Sequence, residues 1–445
     1  MTMVMPILMS IGTSMRMLGT MSSDLPVRFL RSTDEPFGVF LRPSRTDHRL
    51  LLQLLSEGMS SFSGVIFDPT LLSFQQELRS EVNQRRLWSV LDPLSLELSY
   101  LSSRTAARKE LPWAGTKPLS VADLRGAGGR TYAESIAAFV KEQRYTAVLA
   151  PTHYLGKGIA DEWFDVDLAL FAELRRALQI AGCTDVALYF PLATATHVFF
   201  DGHQRVALKS ALSMVRPDAV WLRIHPFGAS SGHVTLQRYI RACRDWHALG
   251  VPLVAERVGT IGVPLLAFGA VSGIEVAVSS GERFNMGSFE AKKKPGKGFA
   301  AHRQVYLQNL GVFLKPAMAR AFFENHALRS QHQCANQHCC RSGVKDMVGN
   351  ARRHFLMTRM EELSQINSVP SNLRPGVYMD RYLRPATDKL GRAMAASIAA
   401  ETREKLERER RRLDGWRDTL GQVQIQEPLT STAVAPVRRV SAAAA

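Results

Sequence analysis

Between Gly64 and about Gly281, short apolar runs alternate with stretches whose apolar residues recur at helical spacing. The runs GVIFD (64–68), LWSVLD (87–92), YTAVLAP (145–151), DVALYFPL (185–192), AVWLRIHPF (219–227), VPLVAERVG (251–259) and GIEVAVSS (273–280) are nearly continuous in apolar residues, as strands buried on both faces are. The segments LLSFQQELRSEVNQR, TYAESIAAFVKEQ, WFDVDLALFAELRRALQIAG and TLQRYIRACRDWHALG lie between them and read as amphipathic helices. Alternation of this kind builds parallel sheets. With an eighth strand expected in RQVYLQNLGVFL (303–314), the pattern predicts an α/β fold, a closed (β/α)8 TIM-like barrel rather than an open doubly wound sheet.

Residues 93–130 interrupt the rhythm and are too long for a simple connection, so an insertion over the barrel mouth is expected there. Past Cys340 the pattern turns helical, with ARRHFLMTRMEELSQI and a long helix from Pro385 to about Leu420. The expected division is an N-terminal segment (1–60), the barrel (61–325), a zinc-binding helical subdomain (326–385), a C-terminal helix (386–425) and a disordered tail (426–445). The first twenty or so residues are Met-rich with neither a basic n-region nor a cleavage site, so they read as disordered or as preceding a start at Met21.

Charge changes the picture. Fifty-six Lys and Arg against 40 Asp and Glu leave a net +16, a surplus suited to a polyanion such as nucleic acid. Part of it is concentrated in KKKPGKGFAAHR, where Lys292, Lys293, Lys294, Lys297 and Arg303 are candidate phosphate contacts. The arginines of EKLERERRRLDGWRD instead alternate with Glu at i,i+4 spacing and read as a solvated helix face. No apolar run reaches the eighteen or so residues of a spanning helix, and five cysteines without a framework spacing point to a reducing cytoplasm.

Candidate chemistry falls in two places. Asp68, Asp92, Thr152, His153, His225, Glu256 and Arg257 stand at or just after the ends of proposed strands, the face on which barrel enzymes do chemistry. Asp68, Asp92 and Glu256 are the carboxylates available for catalysis, and His225 and Arg257 are candidate substrate contacts. The second place is Cys334-Ala-Asn-Gln-His-Cys339-Cys340, followed by His354, whose spacing suits tetrahedral zinc, with Cys340 or His338 as the fourth ligand. GAGG at 126–129 follows no suitable strand and is read as loop, and neither a GxSxG elbow nor an HExxH is present.

A basic barrel, an Asp after its first strand and a Cys-rich segment beyond its last strand together resemble the tRNA-guanine transglycosylase superfamily, over about residues 60–385. The branch that places 7-deazaguanine bases in DNA is the nearer likeness, because GGFQ is missing after Asp68. The resemblance implies replacement of guanine by a 7-deazaguanine base through a carboxylate-dependent glycosyl intermediate, in DNA ahead of tRNA, with structural Zn2+ and other DNA-modification proteins as partners. It places Asp68 beside the exchanged base. VGTIGVPLLAFGAVSGIEVAVSSGERF is similar to the segment leading to the family's nucleophile, at whose position Val278 stands, with Glu275 and Glu282 as nearby carboxylates. The family zinc motif C-x-C-x-x-C is met by Cys334 and Cys339, with Asn336 at its middle position. Two other expectations are an inactive zinc-containing barrel that binds nucleic acid as a subunit, and a small-molecule barrel enzyme.

Overall fold

The computed structural model describes residues 37–59, 61–278, 283–290 and 304–426. Eight parallel strands close on themselves in chain order: β1 (Gly38–Arg42), β2 (Gly64–Phe67), β3 (Trp88–Leu91), β4 (Ala147–Leu149), β5 (Ala187–Ala195), β6 (Ala219–His225), β7 (Leu253–Ala255) and β8 (Gly273–Ala277). Closure is direct, with Gly38 opposite Gly273 and Arg42 opposite Ala277 along the β1–β8 seam. The chain is a TIM barrel with a helical C-terminal region.

Two expectations about the barrel are corrected. Its first strand is GVFLR at 38–42, ahead of the expected boundary at 61, so Asp68 follows the second strand. The segment expected as the eighth strand pairs with itself instead, Val305–Leu307 antiparallel to Val312–Leu314. Gly311, at φ +64°, supplies the left-handed residue of the reversal.

Strand alternation sorts the core. Phe40, Ile66, Trp88, Val90, Ala147, Leu149, Ala187, Tyr189, Ala219, Trp221 and Val254 fill the barrel interior, where alanines opposite the large rings let the layers fit. Successive side chains on a strand face opposite ways, so residues two positions on share the interior face one layer higher. That rule carries Arg42 after Phe40, Asp92 after Val90, Arg223 after Trp221 and Glu256 after Val254 to the C-terminal mouth.

The insertion forms short helical turns at Ser95–Leu98, Leu101–Ser103 and Ala106–Lys109 before the helix Ala127–Gln143. Leu96 packs with Phe284, Met286 and Phe289 into an apolar cap that also includes Ala193, against Tyr100 and Tyr154. Beyond the hairpin and three shorter helices lies the helix Ala351–Asn367. Arg352 bonds Asp47 beyond the top of β1 at 2.7 Å, and Asn367 Oδ1 accepts from Phe37 N just below β1 at 3.3 Å. The expected single C-terminal helix is two, Arg384–Ala395 and Ala400–Gln426, broken at extended Ala396. The first thirty-six residues and residues 427–445 lie outside the described residues.

Candidate functional site

At the barrel mouth five strands, or the positions just beyond their ends, contribute six charged side chains, two of them after β7. Arg42 donates from Nε to Glu275 Oε1 at 2.7 Å and from Nη1 to Asp92 Oδ2 at 2.9 Å. Arg223 donates to the same Asp92 oxygen at 2.7 Å and to Glu256 Oε2 at 2.5 Å. Trp221 Nε1 donates to Glu275 Oε2 at 3.3 Å, and Arg257 Nε lies 3.5 Å from Glu256 Oε1. The three carboxylates and Arg223 are buried, so the pairing compensates charges that would otherwise be costly there.

The field of this cluster separates its carboxyl groups. Burial opposes ionisation of Asp92, but Arg223, Arg42 and the Leu94 amide outweigh it and hold the carboxyl well below its ordinary range. For Glu275 burial prevails over Arg42 and its carboxyl is raised. Burial and the neighbouring Asp92 also raise Glu97, on the turn after β3. Two backbone positions at the mouth are left-handed without being glycine: Leu94 at φ +59° and Arg257 at φ +52°. Each costs on the order of 1 kcal/mol, and such residues cluster where geometry serves a site.

A second arrangement sits beyond β4. His153 is buried and stacks on Trp163 with ring centroids 3.7 Å apart. Its Nδ1 lies 2.7 Å from Asp167 Oδ1, and its backbone N–H donates to Asp167 Oδ2 at 2.8 Å. In the neutral ring this contact selects the tautomer with Nδ1–H donating and a lone pair on Nε2. Nε2 is buried and meets no hydrogen-bonding partner. Burial raises the Asp167 carboxyl while the His153 contacts pull it down.

The structure brings Asp92, Glu256, Glu275 and Arg257 together but not Asp68 or His225. Asp68 Oδ1 accepts from Thr70 N at 2.8 Å and Thr70 Oγ1 at 2.6 Å, which caps the turn after β2 and accounts for its carboxylate. His225 Nδ1 accepts from Met286 N at 3.2 Å under the apolar cap. Val278 is buried and apolar. Lys292, Lys293, Lys294, Lys297, Arg303 and Glu282 lie outside the described residues. The sequence reading missed Arg42, Glu97, Asp167 and Arg223. A charged residue in a run as apolar as AVWLRIH was the available signal for Arg223.

The cysteines and the histidine converge. The donor atoms of Cys334, Cys339, Cys340 and His354 all lie within 4.8 Å of one another. Sγ of Cys339 and Sγ of Cys340 are 3.6 Å apart, and each is 3.4 Å from His354 Nδ1. A zinc tetrahedron has S···S edges of about 3.8 Å and S···N edges of about 3.6 Å, given its bond lengths. His354 Nε2 meets the Tyr306 carbonyl at 2.8 Å, the outer contact that orients a ligating imidazole. The residues therefore fit zinc, with Cys340 rather than exposed His338 completing the set; bound there, the metal would clip the first turn of Ala351–Asn367 to the loop 334–340, while the other nitrogen of His354 holds the hairpin.

No protein-family model and no curated protein matches the chain. Solved structures with some likeness include a GH10 xylanase from Bispora sp. MEY-1, at 12% identity and a TM-score of 0.36 over 54% of this chain and 82% of that one. A GH18 chitinase from Pseudoalteromonas aurantia shows 12% identity and a TM-score of 0.35 over 54% and 93%. KGPDC from Streptococcus mutans shows 10% identity and a TM-score of 0.31 over 55% and 88%. Likeness at this level carries nothing about substrate or reaction, which depend on side chains grafted onto a fold. Among the described residues no helix is long and apolar enough to cross a membrane.

Proposed function

We propose that this protein is an enzyme that acts on a small polar molecule, or a small polar moiety of a larger one, held at the barrel mouth, with His153 transferring a proton. The observation that carries the reading is the His153 Nε2 lone pair, buried and unpartnered while Asp167 fixes the other ring nitrogen. An oriented imidazole of this kind is the usual general acid or base at neutral pH. Asp92 and Glu256 support it from a distance, since clamped between guanidiniums they hold charge in place and make poor nucleophiles.

A second reading makes the moiety a guanine-type base of DNA or tRNA, exchanged for a 7-deazaguanine. The Cys3His cluster directly after the barrel favours it, because that is the order of parts in the transglycosylases. Base exchange needs a carboxylate to hold the glycosyl intermediate. With Val278 at the family position, Glu275 is the carboxylate nearest in sequence on β8.

One experiment separates the readings. The purified protein is incubated with a metabolite extract and, separately, with DNA and tRNA plus free 7-deazaguanine bases, and both pools are compared by mass spectrometry with a His153→Gln control. A change confined to the metabolite pool supports the first reading, and an altered nucleoside supports the second. Wild type and His153→Gln giving identical pools would remove the assignment of His153.

A further inference from the structure

Glu97 stands apart from the ion-paired carboxylates of the mouth. It lies on the single turn Ser95–Leu98, is 5% exposed, and among the described residues makes no ion pair. Its Oε2 is buried without a hydrogen-bonding partner. The turn is aimed by its neighbours. Asp92 Oδ1 accepts from the amide of left-handed Leu94 at 3.1 Å, Ser95 Oγ bonds Tyr132 Oη at 2.8 Å, and Leu96 is held in the apolar cap. A turn that follows left-handed Leu94 thus holds a carboxyl with one unpartnered oxygen among the charges of the mouth.

The cluster already balances without it. The guanidiniums of Arg42, Arg223 and Arg257 face the carboxylates of Asp92, Glu256 and Glu275 in direct contacts. A fourth buried anion with no cation in contact would cost several kcal/mol, and a carboxyl so placed keeps its proton instead. The groups that act on it from the surrounding elements are Asp92 after β3, Arg223 on β6, Arg108 on Ala106–Lys109 and Arg257 after β7. Burial and Asp92 favour the neutral acid, and the three arginines favour the anion less strongly.

We propose that Glu97 is the proton donor of the mouth, hydrogen-bonding and then protonating an acceptor atom, such as a ring nitrogen or a carbonyl or ether oxygen, on an uncharged ligand. This rests on the reading of the mouth as an active site. In the step the Glu97 O–H bond breaks, its proton goes to the lone pair of the ligand atom, and the carboxylate left behind lies in the field of Arg223, Arg108 and Arg257. Water or the product returns the proton at the end of the cycle. Glu97 and ionised Asp92 form the divergent pair that identifies an acid beside a fixed charge.

The test has one arm that needs no substrate. Infrared difference spectra of glutamate-labelled wild type minus Glu97→Gln at neutral pH are expected to contain the C=O stretch of an un-ionised carboxylic acid. Glu97→Gln should melt with wild type, since it replaces one neutral group by another of the same shape. In the assay that detects turnover, Glu97→Gln is expected to lose about 10²–10⁴-fold, the usual worth of a positioned acid. Glu97→Asp should keep part of the rate with a displaced alkaline limb, which a purely structural role would not move. An ionised Glu97 in the resting protein, or full turnover by Glu97→Gln, overturns the proposal. If wild type changes neither pool, the active-site reading fails on its own, and the infrared band still decides whether Glu97 holds a proton to give.

Discussion

Arg223 shows how much rests on single side chains at the mouth. It contacts both Asp92 and Glu256 and is buried, so Arg223→Met leaves two buried carboxylates short of a partner. The expected loss is about 3–5 kcal/mol at neutral pH, read from urea unfolding. Its pH dependence follows from Asp92, whose folded carboxyl is held below its unfolded value by Arg223 and Arg42 against burial. That stability is present above the unfolded value of about 3.9 and is lost as pH falls toward the folded one. The gap between wild type and Arg223→Met should therefore narrow below about pH 4; a constant gap would show that Asp92 is not the group involved. Asp92 and Glu256 were legible as carboxylates at strand ends, and Glu275 as the carboxylate near Val278. Arg42 and Arg223 were not, because an Arg inside an apolar strand declares itself only when the interior parity of that strand is known.

At the scale of elements, seven strands were readable from Gly64 onward because both of their faces are buried and their sequences are correspondingly apolar. β1 escaped because GVFLR is five residues long and ends in a charge, while VYLQNLGVFL reads as a strand until Gly311 folds it back on itself. The cysteine spacing carried the Cys3His cluster more completely, since ligand type and proximity are local properties. What the sequence did not reveal is the job of the helix the cluster adjoins, which bonds the chain just before and just after β1, a strand of the closing seam. Purified protein is expected to hold one zinc per chain. Cys339→Ser should lose it, and hydrogen exchange should rise in the helix Ala351–Asn367 and the hairpin Val305–Leu314 while β3–β6 stay protected. Retained zinc, or unchanged exchange in that helix after its loss, would separate the cluster from the closure.

For the whole molecule, closure is the property on which the site depends, because Arg42 and Glu275 meet across the β1–β8 seam. The seam is tight: a Cβ on Gly273 would stand 2.6 Å from the Gly38 carbonyl oxygen, a contact only a backbone shift relieves. β1 also buries Val39, Phe40 and Leu41, each contributing about 1.5–3 kcal/mol. Gly273→Ala should therefore do two things at once, lowering stability by about 1–3 kcal/mol through forced overpacking and moving Arg42 away from Glu275. The second effect is separable from the first, since the indole of Trp221 donates to the Glu275 carboxylate and stacks on Tyr189 within the barrel. Its fluorescence should shift in folded Gly273→Ala protein well below the melting temperature. A destabilised variant with the wild-type Trp221 signal would mean that the mouth tolerates a displaced seam, and that its charge network is held by β3, β6 and β7 without β1.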